Sequence, residues 1–160
     1  MIFFLFLNAH KLNNHIEITK KVEQKYKIPS GLLYAIMQVE SRGNSLAIFS
    51  NTKGRKQSIN LKTEDDAVQH VMLLQSLGVR NINVGCMQIN LKYHKNENIS
   101  SWFSPPHNIE YAGKFLSKLH KQMGSWKNAV AFYHSGSKSV YHEKYLNKIN
   151  RFFKGDVWEI

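Results

Sequence analysis

The chain has 160 residues, 42% of them hydrophobic, which suffices for one domain with a genuine core and excludes a second full domain and a wholly disordered chain. Lys and Arg number 22 against 11 Asp and Glu, so the surface should attract anions such as nucleic acid, acidic lipid headgroups or an anionic wall polymer. Charge alone does not choose among these partners.

The first residues contain an apolar run, Ile2 to Leu7, that is far too short to span a bilayer. The run is similar to the end of the apolar region of a signal peptide, although the basic segment that precedes such a region is missing. Two interpretations of residues 1–9 stay open: the remnant of a signal peptide whose start lies upstream, or an apolar N-terminal arm. Both leave one domain over residues 10–160, and the first predicts export.

Two helices are predicted before residue 45. The first covers about 14–27 and ends before Pro29, because the residue before a proline disfavours helical geometry. The second covers 32–41 and is expected to be capped by Ser30. It should end at "RGN" (42–44), where glycine and asparagine readily adopt the left-handed conformation that closes a helix.

Glu40 occupies a place in the apolar stripe of this second helix. It follows Leu33, Ile36 and Met37 at the spacing of a single helix face. Burial and the negative end of a helix dipole both disfavour the charged form of an acid, and such an acid suits protonation of a leaving oxygen. The alternative is a surface carboxylate at a helix end that pairs with Arg42 or a lysine.

Strands are predicted only between residues 46 and 61. There "LAIFS" and "QSINL" are β-prone and "NTKGRK" separates them, which predicts a hairpin with a basic tip. Thr63 and the acids after it predict the start of a third helix over 64–77. In the next segment, "NINVGCMQINLKYH", Gly85 is expected to lead into a short helix.

Three more helices complete the chain. Pro105 and Pro106 mark a boundary, after which Asn108 is expected to cap a helix. Another helix should begin near Ser125, and the last should cover about 139–153. We find no repeat and no linker. The sequence thus predicts a predominantly α-helical α+β domain, with six or seven helices and one small β-hairpin.

Cys86 is the single cysteine, which excludes an intramolecular disulfide. We expect it to be a small buried apolar residue. No set of Cys and His has the spacing of metal ligands, so no metal and no cofactor is predicted. The lysines are dispersed and no recognition motif is visible, which argues against a nucleic-acid partner.

Three ordered motifs resemble those of lytic transglycosylases, the lysozyme-like enzymes that cleave peptidoglycan. They are "ESRGN" (40–44), "GCMQIN" (85–90) and "AFYHSG" (131–136), and "YLNKI" (145–149) matches the late tyrosine of the family. The similarity covers roughly 16–153. It is greatest to the small transglycosylases associated with secretion systems, and it implies a single lysozyme-like domain of the goose-type or SLT kind.

The resemblance implies that Glu40 is a single acid/base. It would protonate the oxygen between N-acetylmuramic acid and N-acetylglucosamine, then accept a proton from the C6 hydroxyl of the muramic acid, which leaves a 1,6-anhydro end. The residues implied to contact the substrate are Ser41, Met87, Gln88, Asn90, Tyr133, His134 and Tyr145. No metal or cofactor is implied.

Some of these positions keep an ordinary alternative. Ser41 could be a capping hydroxyl, Met87 and Tyr133 core residues, and Tyr145 a helix tyrosine with a solvated tip. The family role of Tyr133 would be to orient the catalytic acid. His134 replaces the asparagine of the commoner motif.

Two further positions depart from the family pattern. Ser45 stands where many relatives have proline, and Asn83 stands where aspartate is expected. The second change removes a second carboxylate. It would impair an enzyme that needs that carboxylate, and it would be harmless where the residue only shapes a loop.

The resemblance implies glycan strands of peptidoglycan as the partner, with secretion-system components as further partners. It also implies a monomer in the periplasm or outside the bacterial cell. Two other functions stay open. A hydrolytic muramidase would use the same Glu40 with water, and a non-catalytic glycan-binding module of a secretion assembly would keep only the fold.

Overall fold

The computed structural model describes residues 2–52, 54–94 and 98–153, and their side chains from residue 14 onward. These residues form two compact units. One contains the chain up to Val39 and from Glu110 onward, and the other is Glu40–Ile109. In the described ranges the first unit is helical and the second contains a sheet, and no helix there is long and apolar enough to cross a membrane.

Six α-helices occur in the described part of the chain: α1 (Ile2–Tyr26), α2 (Leu32–Glu40), α3 (Glu64–Ser76), α4 (Pro105–Met123), α5 (Trp126–Ser135) and α6 (His142–Ile149). Within the same ranges the strands are β1 (Ala47–Thr52), β2 (Arg55–Asn60), β3 (Ile82–Val84) and β4 (Ile89–Asn90). Short 3-10 helices lie at Ile99–Phe103 and Ser139–Tyr141. These elements confirm the predominantly helical α+β fold that the sequence predicts.

Helix α1 begins at Ile2, well before the expected start near residue 14. No proline or glycine lies between these positions, so nothing in the sequence ends the helix there. Residues 2–9 therefore have helical backbone, while Met1 lies outside the described residues. Export stays a prediction.

Glu23 of α1 holds the start of α2. Its carboxylate accepts hydrogen bonds from the backbone N–H groups of Gly31 at 2.9 Å and Leu33 at 2.8 Å. The expectation that Ser30 caps this helix is wrong, because the Glu23 carboxylate takes those donors. Burial raises the pKa of Glu23, which is only 2% exposed, and the bonds from Gly31, Leu33 and Tyr34 act against that rise.

Helices α1 and α4 approach each other closely in the first unit. A Cβ atom at Gly113 of α4 would collide with the side chain of Val22, so only glycine fits there. Further along, the Tyr26 hydroxyl donates to Glu110 Oε1 at 2.6 Å. The two helices are thus joined by packing and by a hydrogen bond.

The sheet of the second unit has four strands in the order β2-β1-β3-β4, all antiparallel. The predicted hairpin is β1 and β2. Of its basic tip, Lys53 lies outside the described residues, whereas Arg55 and Lys56 are exposed. The prediction that strands occur only in this hairpin is wrong, since β3 pairs with β1 and β4 extends the sheet.

No short helix follows Gly85. Instead, the chain turns tightly between β3 and β4, with φ of 77° at Gly85 and 51° at Gln88. These left-handed values are incompatible with a continuing right-handed helix. Apolar alternation through Ile82, Val84 and Ile89, all buried, explains why the flanking residues form strands.

Two helices in the C-terminal half also differ from expectation. Helix α4 begins at Pro105, because proline suits the first turn, and Asn108 is therefore inside the helix rather than its cap. The last predicted helix is shorter than expected: a 3-10 turn over Ser139–Tyr141 precedes α6, which ends at Ile149. Serines at 137 and 139 are weak helix formers, which accounts for the late start.

Candidate active site

Glu40 is the last residue of α2 and is half-buried, at the edge of the buried stripe formed by Leu33, Ile36 and Met37. The helix ends because the next residues turn left-handed, with φ of 57° at Arg42 and 78° at Gly43. The prediction that Gly43 adopts the left-handed conformation is thus correct. The same prediction for Asn44 is wrong, because the second left-handed residue is Arg42.

Ser41 connects this helix end to the segment between β3 and β4. Its hydroxyl donates a hydrogen bond of 2.7 Å to the backbone carbonyl of Cys86. The bond uses the hydroxyl proton and leaves the oxygen able to accept from a ligand. Glu40 and the "GCMQIN" segment, far apart in sequence, are therefore held together through Ser41.

Asn108 also fixes this segment. It is fully buried, and its Oδ1 accepts from the Met87 N–H at 2.8 Å and from the Cys86 thiol at 3.4 Å. Its Nδ2 donates to the Val84 carbonyl at 3.3 Å. Gly85 has no room for a Cβ atom, which would overlap the Asn108 amide and the Trp102 carbonyl oxygen. The Asn108 amide thus makes three hydrogen bonds to this turn.

The sequence analysis missed this role of Asn108, although a signal was present. Asn108 stands four and eight residues before Ala112 and Leu116, which are also fully buried. It therefore interrupts an apolar stripe of α4 in the same way that Glu40 interrupts that of α2. A polar residue in such a place requires partners, since an unpaired buried amide is costly.

Gln88 presents a fixed amide. Its Nε2 donates to the backbone carbonyls of Ala47 at 3.2 Å and Gly85 at 3.0 Å. Both amide protons are then used, and the oxygen Oε1 is left to accept a hydrogen bond. The side chain is half-buried and Gln88 has left-handed backbone, so the tight turn determines where this acceptor points.

Met87 and Asn90 are placed differently from Gln88. Met87 is fully buried, so that its side chain packs inside the protein, and its contact with a sugar stays a prediction. Asn90 donates from Nδ2 to Asn81 Oδ1 at 2.6 Å and accepts from the Lys92 N–H at 2.9 Å. Both ends of the Asn90 amide thus support the segment.

Cys86 is buried, as predicted. Burial raises the pKa of its thiol to about 12, which keeps it neutral at ordinary pH. A neutral, buried thiol is not a nucleophile. The described part of the chain also contains no group of three His, Cys, Asp or Glu side chains that could hold a metal ion.

Tyr133, His134 and Tyr145 belong to the first unit. Tyr133 on α5 is half-buried, and its ring centroid lies 5.7 Å from that of Phe115. His134 is exposed and stacks on Tyr145 of α6, with ring centroids 4.0 Å apart and planes at 6°. Tyr145 is only 2% exposed, so its ring is largely covered.

The predicted site residues therefore form two groups. The members in the second unit are Glu40, Ser41, Met87, Gln88 and Asn90. There the Ser41 hydroxyl joins the turn after α2 to the turn between β3 and β4, and Gln88 joins the latter turn to the first residue of β1. The two tyrosines and the histidine lie in the first unit. That both groups serve one site stays a prediction.

A comparison with protein families finds one match. The model of the transglycosylase SLT domain matches residues 17–158, nearly the whole chain. The matched range contains every one of the predicted site residues. No curated protein and no solved structure matches the chain.

Proposed function

Because the chain belongs to the family of the transglycosylase SLT domain, whose members are lytic transglycosylases acting on peptidoglycan, we propose that Glu40 is its single acid/base. Family membership gives the coarse activity: the chain is a lytic transglycosylase, and peptidoglycan glycan strands are its partner. The proposed bond is the MurNAc-β-1,4-GlcNAc linkage. The proposed product is a 1,6-anhydroMurNAc end.

In the proposed reaction Glu40 first gives its proton to the glycosidic oxygen, and the bond from that oxygen to C1 of the muramic acid breaks. The C6 hydroxyl oxygen then bonds to C1, and its proton returns to the Glu40 carboxylate. No water is consumed and the acid is regenerated. A single carboxyl group suffices, unlike the two that most glycosidases use.

The observation that carries this proposal is the hydrogen bond from Ser41 to the Cys86 carbonyl. It fixes the residue next to Glu40 to the turn that also orients the Gln88 amide, so an acid and a hydrogen-bond acceptor share one rigid support. We assign to Gln88 the recognition of an N–H or hydroxyl group of the sugar. Ser41, Met87 and Asn90 would contact or support the same sugar.

The three residues of the first unit complete the proposal. Tyr133 would orient the catalytic acid, because a phenol both donates and accepts hydrogen bonds. His134, exposed and stacked on Tyr145, would contact the glycan with its ring edge. We place the enzyme, as a monomer, in the periplasm or outside the bacterial cell, where it would open the wall locally for a secretion or envelope system.

The test is digestion of purified sacculi followed by mass spectrometry of the released ends. The unmodified protein should release 1,6-anhydro ends. Glu40→Gln should abolish release, whereas Glu17→Gln, a control at an exposed acid on α1, should retain it. Reducing ends in place of anhydro ends would show transfer to water and a muramidase. Absence of any cleavage would favour a non-catalytic module, and activity of Glu40→Gln would refute the role of Glu40.

A further inference from the structure

One face of the sheet in the second unit is rich in amide side chains. The opposite face carries the buried residues Ile48, Ser50, Ile82, Val84 and Ile89. The amide face carries these asparagines of the strands and the residue just before β3: Asn51, Asn60, Asn81, Asn83 and Asn90. Asparagine is depleted in strands, so strand formation does not explain this concentration.

Three of the five amides are used inside the protein. Asn60 Oδ1 accepts from Asn44 Nδ2 at 2.8 Å, and Asn90 Nδ2 donates to Asn81 Oδ1 at 2.6 Å. The side chains of Asn51 and Asn83 make no hydrogen bond to any part of the chain that the structure describes. Asn83 Oδ1 is also shielded from solvent, which makes its lack of a donor costly.

Phe49 stands between these two amides. In the strand register Phe49 is directly opposite Asn83, and Asn51 follows it on the same face of β1. Side chains directly opposite on neighbouring strands lie within contact distance of each other, about 5 Å between Cβ atoms. All three are half-buried, so an apolar ring and two unused amides share one small area of surface.

We propose that Phe49, Asn51 and Asn83 bind the acetamido group and ring of an N-acetylhexosamine unit. The proposal rests on the glycan-cleaving function above and adds residues to it. An acetamido group offers one N–H donor, one carbonyl acceptor and a methyl group. The Asn83 oxygen accepts the N–H, the Asn51 nitrogen donates to the carbonyl, and the Phe49 ring packs against the methyl group.

In the free protein the Asn83 amide can turn toward a ligand at little cost. Turning the Asn83 amide toward a ligand breaks no hydrogen bond within the described ranges, because its buried oxygen makes none. The same rotation at Asn90 would break two, to Asn81 and Lys92. We therefore assign sugar binding to Asn83 rather than to Asn90. Asparagine stands here in place of the aspartate expected from the family pattern, and it supplies a neutral acceptor suited to a neutral ligand.

Calorimetric titration tests this site with two neutral oligosaccharides. Chitotetraose carries acetamido groups, and cellotetraose has the same linkage without them. Titration uses the Glu40→Gln protein, so binding is measured whether or not that acid is catalytic. Asn83→Ala and Asn51→Ala should each weaken chitotetraose binding about three- to tenfold, the effect of one neutral hydrogen bond. Binding of cellotetraose should not change.

Matched variants keep the result interpretable. Asn128→Ala, at an exposed asparagine of α5, should bind as the parent does. Phe49→Trp should retain binding that Phe49→Leu weakens, with thermal melting confirming that each variant is folded. In sacculus digestion the sheet variants should raise KM and leave kcat unchanged. The proposal would be overturned if both asparagine variants bound chitotetraose as tightly as the Glu40→Gln protein does. It would also be overturned if the Glu40→Gln protein did not bind chitotetraose, or if the variants lost cellotetraose binding equally.

Discussion

Glu40 and Asn108 each interrupt an apolar helical stripe, yet they differ in burial and in the tasks that we assign to them. Asn108 is fully buried, and both ends of its amide are bonded to the segment from Val84 to Met87. Glu40 is half-buried at a helix end, and its role as acid/base is the one proposed above. A polar residue in an apolar stripe draws attention to both positions. Their different burial distinguishes the supporting residue, Asn108, from the proposed acid/base, Glu40.

Asn108→Ala should lower the free energy of unfolding by about 1–3 kcal/mol, because the Met87 N–H and the Val84 carbonyl would lose their buried partner. It should also reduce kcat, since the turn that orients Gln88 would no longer be fixed. Urea denaturation measures the first effect and sacculus digestion the second. Asn128→Ala should change neither, and a stable, fully active Asn108→Ala protein would contradict the positioning role.

At this scale the sequence correctly predicts the burial of Cys86 from its residue type. The role of Glu40, inferred from its spacing and motif, stays a prediction, and the role of Asn108 was missed. The partners of Asn108 lie in a segment about 20 positions earlier in the chain, and no local pattern encodes such a contact. Their hydrogen bonds became visible only in the folded structure.

Among the elements, those with local signals were predicted well. Thr63 accepts from the Asp66 N–H at 3.1 Å and Ser125 from the Asn128 N–H at 3.3 Å, so the predicted starts of α3 and α5 are confirmed. The strands β3 and β4 were missed. Strand β3 is paired with β1, more than 30 positions earlier, and short strands of two or three residues carry too little periodicity to be recognised.

The start of α2 depends on Glu23, and this dependence should vary with pH. Burial raises the pKa of Glu23 above its ordinary value, so the folded protein holds this proton more tightly than the unfolded chain does. The stabilisation is full below the ordinary value and is lost as the pH rises through the raised value. The unmodified protein should therefore lose stability across this window.

Glu23→Gln removes the titrating group, so its free energy of unfolding should fall less over the same pH window than that of the unmodified protein. Urea denaturation at a series of pH values measures the difference. Glu17→Gln, an exposed acid on the same helix, should keep the slope of the unmodified protein. Identical slopes for Glu23→Gln and the unmodified protein would show that burial of this carboxyl does not govern its protonation.

At the scale of the whole molecule, the property that bears on substrate binding is the net charge. The net charge of +11 is spread over the chain rather than gathered in one motif, and peptidoglycan carries carboxylates on its stem peptides. Long-range attraction of this kind raises the local concentration of substrate without choosing a bond. In the proposed function, selection of the bond falls to uncharged contacts, those of the Gln88 amide and of the sugar site proposed on the amide face.

Attraction by charge and binding through uncharged contacts should respond differently to salt. Raising the ionic strength from 0.1 to 1 M shortens the Debye length from about 10 to about 3 Å, so binding of the Glu40→Gln protein to intact sacculi should weaken strongly. Binding of chitotetraose, which is neutral, should hardly change. Sacculi stripped of their stem peptides by an amidase serve as the matched control in a sedimentation assay. If they showed the same salt dependence as intact sacculi, the charge would act on something other than the peptide carboxylates.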